Sequence, residues 1–130
     1  MKTMQKQTLI EKAERLYEKG DYDGAIADYT EAISLYDNDE DLALIHIYRA
    51  AAYINKSDYH HVMADANTAI KLGHQLAEAH LVRGIACLHL GPMGQAIVEW
   101  KKAADYGSKG ALKKLEEYGV PYTPLIRKKR

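Results

Sequence analysis

The sequence contains one cysteine, Cys87, among its 130 residues. No disulfide can form within such a chain, which points to a reducing compartment, and a cytoplasmic location is expected. Net charge is also missing: eighteen lysines and arginines balance eighteen aspartates and glutamates. That removes the usual reason to name nucleic acid or an anionic surface as the main partner. The one basic run, Arg127-Lys128-Lys129-Arg130, reads as a solvated tail. No stretch approaches the roughly 18 apolar residues of a membrane span. The opening MKTMQKQTLIEKAERLYEK lacks the apolar core of a signal peptide. What remains is an ordinary globular composition, 47% hydrophobic and 28% charged, on a chain long enough to bury a core.

What the sequence does hold is repetition. GDYDGAIADYTEAI (20–33), SDYHHVMADANTAI (57–70) and GPMGQAIVEWKKAA (91–104) share a small first residue, a small or β-branched sixth and alanine in thirteenth place. Their starts lie 37 and 34 residues apart. A period near 34 is too long for one helix and fits a helix, a turn and a returning helix. The pattern predicts helices over residues 3–19, 22–36, 40–56, 59–72, 75–90 and 93–106. Gly20 suits a helix stop, Asp21 and Asp58 suit N-caps, and Pro92 suits a helix start.

The repeated small residues predict close helix contacts. Ala25, Val62 and Ala96 recur early in each second helix, and Ala32, Ala69 and Ala103 two turns later. Tyr29 and Trp100 are expected to plug the space between them, with Ala66 in the middle unit. Ala13, Ala50 and Gly84 form a matching register in the first helices. Past the third unit, Ala111, Leu112, Leu115 and Tyr118 share a face opposite Lys113, Lys114, Glu116 and Glu117, as in a helix that closes a solenoid. VPYTPLIRKKR follows, with two prolines, and is expected to be extended.

These units resemble tetratricopeptide repeats. The matching residues are Ala13, Leu16, Gly20, Tyr22, Ala25, Tyr29 and Ala32; then Ala50, Tyr53, Tyr59, Ala69 and the string YRAAAY; then Gly84, Gly91, Ala96, Trp100 and Ala103. Asp37, His74 and Ser108 stand where the family often ends a repeat with proline. The segment AADYGSKGA is similar in part to Sel1-like repeats. The resemblance implies an all-α solenoid over residues 1–118, with three hairpins at about 6–39, 43–76 and 77–110 and a capping helix at about 109–118. Residues 119–130 then form an extended basic tail. It also implies a non-catalytic scaffold or adaptor that holds a peptide or a partner helix in a concave groove lined by the first helices. The family's carboxylate clamp, which grips acidic chaperone tails, resembles a fixed set of lysine, asparagine and arginine. Here those places hold Ile10, Glu14, Tyr48, Glu78 and Val82, so no clamp is expected.

The helices LALIHIYRAAAYI (42–54) and LAEAHLVRGIACLHL (76–90) are apolar on more than one side. The groove is therefore expected at Ile10, Glu14, Tyr17, Ile47, Tyr48, Ile54, Leu81, Ile85 and Leu88, apolar with an acidic edge from Glu11, Glu14 and Glu18. The alternative is that curvature or the cap buries this stripe as core. The expected occupant is a protein or peptide with apolar anchors, the chain's own tail through Tyr122, Leu125 and Ile126, or a second copy in a homodimer.

No catalytic constellation, cofactor or metal is expected. His60 and His61 point about 100° apart on a helix. His46 and His80 occupy equivalent sites in successive units, a placement that would let them face each other across the stack, but no cysteine or carboxylate spacing joins them into a ligand set. Cys87 sits at a core register, and Ser57, Asp58 and His60 lie too close in sequence for a triad.

Overall fold

The computed structural model describes residues 2–124, with side chains from residue 5 onward. Among the described residues the chain forms seven helices: α1 Lys2–Glu18, α2 Tyr22–Ile33, α3 Asp39–Asn55, α4 Tyr59–Leu72, α5 Leu76–Leu90, α6 Met93–Asp105 and α7 Lys109–Glu117. Consecutive helices pack in antiparallel fashion as three hairpins, α1/α2, α3/α4 and α5/α6, and α7 closes the last one.

Local chemistry sets the joints. Asp21 accepts a hydrogen bond from the Gly24 amide at 2.9 Å, Asn38 from Asp41 at 2.8 Å and Ser108 from Ala111 at 3.0 Å. Each satisfies an orphan donor of a first helical turn. Gly20 ends α1 at φ +85, and Ser57 takes the same turn at φ +58 without glycine's freedom. Helix α2 stops three residues short of the expected end. Ser34 turns its hydroxyl onto the Glu31 carbonyl at 2.6 Å and closes the helix there.

Each hairpin carries its own core. Ala13, Ala25, Tyr29 and Ala32 make the first, Ala50, Val62, Ala66 and Ala69 the second, and Ala96, Trp100, Ala103 and Leu115 the third. Trp100 is fully buried and donates from Nε1 to the Leu81 carbonyl at 3.3 Å, so the expected plug is in place with its polar atom satisfied.

A second device repeats with the hairpins. Lys12, Arg49 and Arg83 occupy one register of the first helices; Asp28, Asp65 and Glu99 occupy one register of the second. They meet as Lys12–Asp28 at 3.8 Å, Arg49–Asp65 at 2.7 Å and Arg83–Glu99 at 3.0 Å. All three carboxylates are buried. His46 and His80 do not face each other. Each points Nδ1 at the acid of its own hairpin, 2.9 Å from Asp65 and 2.8 Å from Glu99. The first rung is the loosest of the three, and Asp28 keeps a buried oxygen, Oδ2, without a hydrogen bond.

After α7, Gly119 turns at φ +70 and Val120 packs on the third core. The Tyr122 hydroxyl donates to Asp105, and Pro124 borders the α6–α7 turn. Residues 120–124 thus run along α6 and the face of α7 that points away from α5. Leu125, Ile126 and Arg127 to Arg130, which the tail-docking expectation relies on, lie outside the described residues.

Candidate partner-binding groove

The first helices α1, α3 and α5 lie side by side, and the space between α1 and α3 opens as a cavity of about 670 Å³. Helix α1 contributes Glu11, Glu14, Arg15, Tyr17 and Glu18; α3 contributes Tyr48 and Ala51; Tyr29 reaches in from α2. The helical spacing of Glu11, Glu14 and Glu18 puts them on one side of α1. None of these three has an ion-pair partner among the described residues.

Aromatic rings wall the cavity. Tyr29 and Tyr48 pack at 5.8 Å between centroids, and Tyr17 meets Tyr22 edge-on at 5.3 Å. The Tyr17 hydroxyl accepts from Asn55 at 2.9 Å, which ties α1 to the end of α3. Tyr29 is only 3% exposed, and its hydroxyl makes no hydrogen bond among the described residues. Burial first, then the charge of Glu14, pushes its pKa up to about 12, with smaller contributions from Tyr48 and Tyr17.

The expected groove residues divide by position. Glu14, Tyr17 and Tyr48 line the large cavity, and Ile10 joins Glu14 and Tyr48 in an adjoining hollow of about 270 Å³. Leu81 and Ile85 line a further hollow of about 280 Å³ against Gly110, Lys113 and Lys114 of α7, so the cap partly covers them. Ile54 packs half-buried on the middle core and Leu88 on the third. Ile47 is corrected from groove to core: at 7% exposure it sits among Ala43, Val62 and Val82, because α4 and α5 flank α3 at that point. Val82, at one of the five clamp positions, is likewise buried at 6% exposure, whereas Glu14 and Glu78 are exposed acids.

Tyr29 was expected only as a core plug, yet it also forms a wall of the cavity. The signal that separates the two roles is the company of its hydroxyl, which sequence spacing does not carry. The ion-pair rungs were also absent from the sequence reading. Their trace is the basic residue at 12, 49 and 83 and the acid at 28, 65 and 99, spaced by the same 37 and 34 as the repeats.

Residues 7–39 match the profile of the tetratricopeptide repeat. The chain is 30% identical over 112 residues to RNA polymerase II-associated protein 3 of Xenopus tropicalis, covering 82% of this chain and 17% of that protein. It is 32% identical over 102 residues to the E3 ubiquitin-protein ligase CHIP of Arabidopsis thaliana, covering 73% of this chain and 36% of the ligase. The chain therefore spans well under two thirds of either relative. Among solved structures, it superposes on the second TPR domain of human RPAP3 in complex with the HSP70 peptide SGPTIEEVD with a TM-score of 0.77 at 26% identity. That match covers 93% of this chain and 100% of the domain. The protein is thus an all-α helical-hairpin solenoid with a lined groove between its first helices. Its residues 7–39 match a tetratricopeptide repeat, and the described chain has the fold of the tetratricopeptide domain it superposes on.

Proposed function

We propose that this protein is a non-catalytic interaction module that holds an extended peptide or a helix of a partner protein in the groove between α1, α3 and α5. The single observation that carries this reading is the large open cavity bounded by Tyr17, Tyr48 and Ala51; Tyr17 and Tyr48 pack on the first core but stay only half-buried, with part of each side chain left to the cavity. The likeness to a TPR domain solved with a bound peptide supports the same class of function. The occupant is read as one with apolar anchors rather than a terminal carboxylate. Ile10, Glu14, Tyr48, Glu78 and Val82 supply no cation at the five clamp positions, and two of them are acids. The reading invokes no cofactor or metal.

A peptide selected from a random library against the chain tests it. Ala51→Trp, which fills the cavity, is expected to abolish binding with helix content unchanged. Val98→Trp, on the exposed side of α6, is expected to leave binding intact. Binding that survives Ala51→Trp and disappears with Val98→Trp would overturn the groove assignment.

A further inference from the structure

We propose that the α1/α3 cavity is a subsite for a cationic side chain, arginine or lysine, carried by the peptide segment of a separate partner protein; this rests on the groove reading above. Charge is the first support. Three carboxylates, Glu11, Glu14 and Glu18, line the cavity against one guanidinium, Arg15, and none of the three is neutralised by another described residue. An unpaired acid facing solvent is ordinary, but three converging on one concave wall raise the local concentration of cations.

The second support is independent of the acids. Tyr29 as a whole is only 3% exposed, yet its hydroxyl is not sealed from solvent, makes no hydrogen bond among the described residues and belongs to a residue that borders this cavity. Glu14, Tyr17 and Tyr48 line the same cavity as Tyr29, and the Tyr48 ring packs beside it. A phenol oxygen placed there can accept an N–H from a guanidinium or ammonium group. The faces of Tyr17 and Tyr48 add the aromatic walls on which cations pack. A cavity of about 670 Å³ holds a long side chain together with part of its backbone. The site has the opposite polarity to a carboxylate clamp and sits at the same end of the groove, where Ile10, Glu14 and Tyr48 replace the clamp's lysine and asparagines.

A separate partner is favoured over the chain's own basic run. Val120, Tyr122 and Pro124 hold the start of the tail against α6 and the far face of α7, at the opposite end of the solenoid.

The probe is the capped tripeptide Ac-Leu-Arg-Leu-NH2, titrated into the full chain with labelled tyrosine rings and followed by NMR. The control is the same peptide with citrulline, which keeps the shape and loses the charge. The arginine peptide is expected to shift Tyr17, Tyr29 and Tyr48 saturably and to bind about tenfold more tightly than the citrulline peptide. Glu14→Gln with Glu18→Gln is expected to erase that preference, and Tyr29→Phe to weaken the arginine peptide about threefold. Equal affinity for the two peptides in the parent chain overturns the cation subsite but leaves the groove standing, since the rings still report occupancy. Absence of ring shifts with either peptide overturns the subsite, and the Ala51→Trp experiment then decides the groove separately. Ring shifts that depend on protein concentration and vanish in a chain ending at residue 124 would make a second copy's tail the occupant, overturning the separate partner.

Discussion

A Cβ built on Gly84 would stand 2.4 Å from Nε1 of Trp100, so α5 and α6 meet where a methyl group is missing. The contact joins two registers visible in the sequence, the small residue of each first helix and the plug of the second. Gly84→Ala gains about 1 kcal/mol of helix propensity but forces the fully buried indole to move. A net loss of about 1–3 kcal/mol is expected in urea unfolding. An unchanged midpoint would show that the indole has room to yield.

The third rung predicts a response to acid. Burial would raise the Glu99 pKa, but the hydrogen bonds from His80 and Arg83 outweigh it and hold the carboxyl below its ordinary 4.5. A folded-state pKa below the unfolded one adds stability that is present above pH 4.5 and is lost as pH falls through the folded value. Glu99→Gln should therefore cost about 1.5–3 kcal/mol at neutral pH and flatten the loss of stability below pH 4.5. Asp28→Asn, whose acid has one buried oxygen without a hydrogen bond, should cost less than about 1 kcal/mol. Denaturant midpoints across pH 3–7 check both.

Ser57 and Gly20 occupy one turn of successive repeats at φ +58 and +85. A side chain in that conformation costs roughly 1–2 kcal/mol relative to glycine. Ser57→Gly should raise stability by about 1 kcal/mol, and Gly20→Ser should lower it by a similar amount. Nothing lies within 4 Å of a Cβ at Gly20, so backbone conformation alone sets the sign there. Calorimetry giving the same sign for both substitutions would contradict this.

Cys87 is buried, and burial followed by the nearby charge of Glu99 pushes its thiol pKa up. At pH 8 the native chain should react with iodoacetamide far more slowly than the unfolded chain. Equal rates would place the thiol on the surface.

The fold was legible because its signals are local and repeated. Gly20, Asp21, Asp58 and Pro92 mark helix ends within a residue or two, and Ala25, Val62 and Ala96 mark contacts that recur in phase. The groove was legible only in part. Ile47 lies on the same stripe as Ile54, yet one is core and the other half-buried, since the boundary depends on how far α5 overlaps α3. Arg49 and Asp65 are 16 residues apart, and no helical period announces that they will meet. Such a pairing becomes visible only once the second helix folds back onto the first.

The most direct test of the groove is an intermolecular NOE experiment with a library-selected peptide bound to the full chain. NOEs from the peptide to the rings of Tyr17 and Tyr48 are predicted. NOEs to the exposed rings of Tyr106 and Tyr118, with none to Tyr17 or Tyr48, would contradict it.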